Sequence, residues 1–126
     1  MTPEQRMVQE FHEKYDAPVR TVPTMLAAKD CLRRARLIFG EAGEFIEAAD
    51  KGDVVEMVDA LADLLVVVYG AAVEMGVDLE PVFAEVHRSN MSKNGGIDAG
   101  GKILKGRGFR PPDITTVLRQ QGYTGV

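Results

Sequence analysis

The chain has 126 residues and a mass of 13.8 kDa, with 45% hydrophobic residues, 27% charged residues and a formal net charge of −4. That composition describes one soluble globular domain with an ordinary core and excludes a disordered chain. The single cysteine, Cys31, excludes an internal disulfide or a cysteine-ligated zinc site and fits a reducing, cytoplasmic setting.

Met1 to Arg20 is polar and does not read as a signal peptide. Thr2-Pro3-Glu4 is a helix start, an N-cap followed by proline and an acid, and the first helix is expected to reach Tyr15. Asp16 to Pro23 holds two prolines and reads as a loop. Thr24 is expected to cap a second helix over Met25 to Ala49, stopped by Asp50-Lys51-Gly52. Asp53 caps a third, Val54 to Met75, and Asp78 a fourth, Leu79 to about Met91. Asn94 to Pro112 is a Gly-rich basic loop with room for a short strand at Lys102 to Lys105, and Asp113 caps a last short helix to about Gln121. The expected fold is all-α: a single domain over residues 1–126, an antiparallel helical bundle of four main helices.

The third helix is apolar on every side, from Leu61 to Val73, and a helix of that kind is buried on every side. The other helices of so short a chain are too few to cover it. A homodimer or a dimer of dimers with this helix near the interface is therefore expected, against the alternative of a monomer whose other helices wrap it. The longest apolar stretch, Ala60 to Val73, is too short for a membrane span and contains Asp63, so no membrane partner is expected.

Charge is unevenly spread. Leu37 to His87 carries twelve acids and one base, Lys51, whereas Arg88 to Arg110 carries six bases and one acid, Asp98. The pattern reads either as a cation site beside an anion site or as two solvated faces. Glu41 and Glu44 lie three apart on the second helix. Glu56, Asp59 and Asp63 recur at i, i+3 and i+7 on the third, within roughly 60° of arc. The Asp50–Asp53 turn brings both stripes to similar distances from it, so four or five carboxylates converge. Like charges so placed repel, and an all-oxygen set short of a full cage suits Mg²⁺, with Mn²⁺ possible. Gly40 and Gly43 weaken the second helix and mark a close approach by a ligand or by a neighbouring helix.

Glu41-Ala-Gly-Glu44 and Glu56-Met-Val-Asp59 resemble the E-x-x-E and E-x-x-D halves of the all-α nucleoside triphosphate pyrophosphatases. That superfamily includes MazG-like enzymes, dimeric dUTPases and phosphoribosyl-ATP pyrophosphohydrolases. His87 to Lys93, Gly101 to Gly106 and Pro111-Pro112-Asp113 are similar to a MazG-like branch often labelled phosphoribosyl-ATP pyrophosphohydrolase-like, and the resemblance covers about Leu32 to Ile114. It departs at Gly40, where many members carry an acid; Asp63 is a possible auxiliary acid in compensation.

The resemblance implies Mg²⁺-dependent hydrolysis of a nucleoside triphosphate to the monophosphate and pyrophosphate. Glu41, Glu44, Glu56 and Asp59 are then metal ligands, or Glu41 is instead the general base on the attacking water. Lys93, Lys102 and Lys105 become phosphate contacts or remain solvated loop residues. Asn90 reads a base edge or sugar, or ends its helix. Within this reading a dUTP- or dCTP-like substrate and nucleotide-pool cleaning come first. Phosphoribosyl-ATP hydrolysis and a non-catalytic helical dimer or regulatory module are the alternatives. A ferritin-like di-iron bundle lacks its Glu-x-x-His pairs, since Glu85 and His87 are only two apart. Nucleic acid is not expected as a partner, because Phe109 is the lone aromatic among the Arg88 to Arg110 bases.

Overall fold

The structure, a computed structural model, describes residues 1–125; Val126 lies outside the described residues. Five helices follow one another: α1 (Pro3–Lys14), α2 (Ala28–Lys51), α3 (Val54–Met75), α4 (Leu79–Asn90) and α5 (Ile114–Gln120). The fold is all-α, as expected.

Four helices start on the residues the sequence marks. The side chains of Thr2, Asp53, Asp78 and Asp113 accept hydrogen bonds from the backbone N–H of Gln5, Glu56, Glu80 and Thr116, at 3.1–3.2 Å. Gly52 ends α2 in the left-handed region (φ 69°), which turns the chain straight into α3.

Thr24 does not cap α2. Its N–H binds the Met75 carbonyl at 2.9 Å and its hydroxyl the Val22 carbonyl at 2.7 Å, which ties the loop to the end of α3. The helix starts at Ala28, after Ala27, with no side-chain cap. The strand expected at Lys102 to Lys105 is, among the described residues, a single antiparallel bridge between Ile97 and Ile103. Asp98 closes the turn between them, its carboxylate accepting from the Gly100 and Lys102 N–H groups at 2.9 Å.

α2 and α3 form a long antiparallel pair, and α1 packs on α3. Gln5, 1% exposed, donates its amide to the Val77 carbonyl (2.7 Å) and accepts from the Leu79 N–H (3.1 Å), so α1 grips the corner between α3 and α4. At that corner the chain bends by 114° and α4 packs on α5. Arg88 donates to Glu85 at 2.7–3.2 Å, and the Asp113 N–H binds the same carboxylate at 2.9 Å.

The α2–α3 pair is fixed by a buried ion cluster. Glu74 is fully buried on α3. Arg33 reaches it with both terminal guanidinium nitrogens, and Arg34 stands 3.7 Å away. The Arg34 guanidinium crosses α3 at Gly70, donating to the Val67 carbonyl at 2.7 Å. A Cβ at Gly70 would sit on that guanidinium and 3.2 Å from Nε2 of buried His12.

Covering of α3 is incomplete within one chain. Ala60, Gly70, Ala72 and Val73 are buried, but Val58, Leu61 and Leu65 remain 60%, 48% and 54% exposed. α4 leaves rather than wraps it. No single helix among the described residues is long and apolar enough to cross a membrane.

Glu74→Ala is expected to lower the free energy of urea unfolding by about 3–5 kcal/mol, because Arg34 is left buried without its counter-charge. A second expectation concerns acid. Arg88 and then the Asp113 N–H hold the Glu85 carboxyl at about 2, below its ordinary 4.5. A depressed folded value stabilises above 4.5 and is lost as pH falls toward 2. Hydrogen exchange should therefore show α5 loosening from α4 over that window, and Glu85→Gln should remove the Glu85 share of the pH dependence, leaving that of the α5 cap Asp113, whose carboxyl its hydrogen bonds with Thr116 also hold down.

Candidate metal centre

The clamp sets the register of the acids. Arg34 lies opposite Gly70. Glu41 stands seven residues further along α2, and Asp63 seven residues back along antiparallel α3. Two turns on from the clamp, the two carboxylates therefore face one another. Glu44 lies one turn beyond Glu41 on the same side. Glu41, Glu44 and Asp63 each bring a carboxylate oxygen to within 4.8 Å of the others.

Glu41 is the most enclosed. Its Oε2 is buried and has no hydrogen-bond partner. Burial pushes its carboxyl above the ordinary range, as do hydrogen bonding with Glu44 and the charges of Glu44, Asp63 and Asp59.

Asp59 and Glu56 stand outside this tight group. With Glu44, Glu47 and Ala60 they line an adjoining cleft of about 300 Å³. Asp59 is near enough to act on Glu41 through its charge, whereas Glu56 lies at 3.8 Å from Lys51. Asp63 thus occupies the inner position and Asp59 the rim. Glu47, exposed, is a further member of the cleft wall, and its i+3 spacing from Glu44 is the sequence signal for it.

The basic candidates lie elsewhere in the chain. Asn90 is the last residue of α4, exposed, and its carbonyl accepts from the Lys93 N–H at 3.1 Å. Lys102 and Lys105 sit on the exposed loop, with the Lys105 ammonium 5.0 Å above the Phe109 ring. Among the described residues, none of these lysines lines the acidic cleft or pairs with one of its carboxylates.

Three converging carboxylates, one with a buried and unpartnered oxygen, form a hard, anionic donor set that fits a divalent cation. Glu41, Glu44 and Asp63 would hold it, with Asp59 next in reach.

A family model described as phosphoribosyl-ATP pyrophosphohydrolase matches residues 6–90, which take in most of α1 and all of α2, α3 and α4. No curated protein matches the chain significantly.

Replacing Glu41 by Gln removes one of the crowded charges. It is expected to raise the melting temperature of the metal-free protein by about 3–6 °C, the effect of roughly 1 kcal/mol in a domain of this size. The same variant should lose the thermal stabilisation that added Mg²⁺ or Mn²⁺ gives the wild type.

Proposed function

This chain belongs to the phosphoribosyl-ATP pyrophosphohydrolase family, within the MazG-like all-α pyrophosphatase superfamily, and from that premise we propose a Mg²⁺-dependent hydrolase acting on a (deoxy)nucleoside triphosphate. The products are the monophosphate and pyrophosphate, the substrate is dUTP- or dCTP-like, and the role is cleaning of the cytoplasmic nucleotide pool. The observation that supports the reading most is the carboxylate cluster with its unpartnered Glu41 oxygen. It also weighs against the alternative of a non-catalytic helical dimer or regulatory module, which has no use for stored repulsion. The description of the matched family favours a second substrate, phosphoribosyl-ATP, which presents the same triphosphate.

Forming a monophosphate and pyrophosphate breaks the anhydride bond between the α and β phosphates, with water supplying the new oxygen. When bound, Mg²⁺ would offset the charge of the triphosphate against the carboxylates and of the leaving pyrophosphate. Glu44, Asp63, Asp59 and Glu56 present the ligand oxygens. Glu41, poised for a proton by burial and its acidic neighbours, orients and deprotonates the attacking water, or ligates directly. Lys93, Lys102 and Lys105 meet the phosphates and Asn90 meets the base or sugar. Because these four lie away from the cleft within one chain, that contact calls for closure of the Gly-rich loop or for a second copy.

A homodimer or dimer of dimers is part of the proposal. It is supported by the exposed Val58, Leu61 and Leu65 on α3 and by an apolar crevice of about 300 Å³ beside them, lined by Leu65, Val68, Tyr69, Leu79 and Phe83.

The test is pyrophosphate release from a panel of ribo- and deoxynucleoside triphosphates and phosphoribosyl-ATP, with and without Mg²⁺. Turnover of one substrate class is expected only with metal. Glu44→Ala and Asp63→Ala should each lower kcat by roughly 100-fold or more, equivalent to about 2.7 kcal/mol. Absence of release from every nucleotide, in protein that is folded and binds Mg²⁺, would leave the regulatory module as the better account.

A further inference from the structure

We infer that a second copy of this chain docks along one defined face of α2, antiparallel, about a two-fold axis level with Gly40 and Glu41. The inference rests on the homo-oligomer proposed above and adds to the α3 face named there a separate contact on α2, with a surface, a direction and a register of its own.

Leu32, Ala35, Phe39, Ala42, Ile46 and Ala49 recur along α2 at alternating spacings of three and four. At about 100° per residue they fall within roughly 100° of arc, a coiled-coil type of seam. The seam is open in the single chain. Leu32, Phe39 and Ile46 are 51%, 82% and 67% exposed, Ala35 and Ala49 are exposed and Ala42 is half-buried. It lies on the side of α2 opposite Glu44, so a partner seated there leaves the acidic cleft free.

The seam alternates large and small residues, and the alternation is self-complementary only in one arrangement. Turned about an axis level with residues 40 and 41, Leu32 of one copy meets Ala49 of the other, Ile46 meets Ala35, and Phe39 meets Ala42. Every layer then pairs a knob with a space, as an isologous interface requires. A parallel pairing in register would put Phe39 on Phe39 and Ala42 on Ala42.

Charge chooses the same direction. The charged residues nearest the seam are bases in the first half of α2 (Lys29 and Arg36) and an acid in the second (Asp50). Arg33 and Arg34 are held by Glu74, and Glu41, Glu44 and Glu47 belong to the acidic cluster and its cleft. Antiparallel docking sets the basic flank of one copy toward the half of the other that carries Asp50, which lies within about two residues of the level of Lys29. Parallel docking would set like on like. A foreign helix offers no reason for this internal match of size and charge, so the occupant is a second copy.

The experiment is sedimentation velocity across a dilution series of the full chain, with far-UV circular dichroism to verify folding. Phe39→Ala is expected to raise the dissociation constant of this contact roughly tenfold or more, because it empties the central knob. Ala42→Phe alone should weaken association too, by setting two phenylalanines against each other. Phe39→Ala with Ala42→Phe restores the knob on the opposite member of each pair and should return association to near the wild-type value. Lys29→Asp and Asp50→Lys provide an independent arm: each alone weakens association and the double exchange restores it.

An assembly that Phe39→Ala leaves unchanged, or a double exchange no better than the single variants in both arms, overturns this seam while leaving homo-oligomerisation intact. A wild-type chain that is monomeric throughout overturns both.

Discussion

The carboxyl of Glu74 is sealed from solvent, and the remainder of the molecule is arranged on how it is answered. An ionised carboxylate in a protein interior is tolerated only when paired and hydrogen-bonded. Arg33 and Arg34 supply that pairing from the neighbouring helix. Arg34 gets there by passing over α3 where Gly70 has no side chain, so the helices lock at one register rather than sliding as apolar rods could. The lock reaches far. Two turns along, it decides that Glu41 meets Asp63 and not a leucine. A shift of one turn would still leave a helical hairpin but would disperse the acids into separate surface charges. Burial lowers the proton affinity of Arg34 and the contact with Glu74 raises that of Arg33, so the two guanidinia divide the work between an inner and an outer member.

α2 consequently has three tasks on three sides. One side carries the clamp and packs on α3. A second presents Glu44 and, beside it, the cleft. The third carries the open row of alternating large and small apolar residues. Glu41 stands where the first two meet, which explains why its carboxyl is more enclosed than that of any other acid in the group. The cluster is unfavourable by itself and the clamp is favourable, so the protein holds an electrostatically strained site on a rigid support.

Much of this was legible before any coordinates. Thr2, Asp53, Asp78 and Asp113 announced helix starts because capping is a local matter, settled within three residues. Thr24 misled because its backbone N–H is held by the Met75 carbonyl, fifty-one residues away, a competitor no local rule sees, and its hydroxyl turns back to the Val22 carbonyl instead of capping α2. The two acidic stripes were equally plain from spacing. Their ranking was not: the order of Asp63 inside and Asp59 on the rim depends on how α3 is rotated against α2, and a remote arginine over a glycine fixes that rotation. Glu74 lay in view as an acid in an apolar helix, with two arginines on the preceding one, a signal of a buried pair. The distance of Lys93, Lys102 and Lys105 from the cleft follows from the 114° bend after α3, which composition does not disclose.

Gln5 carries a consequence of another kind. Its amide bonds to the backbone on either side of the α3–α4 corner, at Val77 and Leu79, more than seventy residues along the chain. A helix that precedes the hairpin in the chain therefore supplies the brace for a corner made well after it. Until Val77 to Leu79 have been made, Gln5 has nothing to hold, and the bend has no fixed angle until α1 returns to it. Completion of the fold is thus tied to closing a loop of more than seventy residues, and the rate of that closure, more than the zipping of α2 onto α3, should set the pace of maturation.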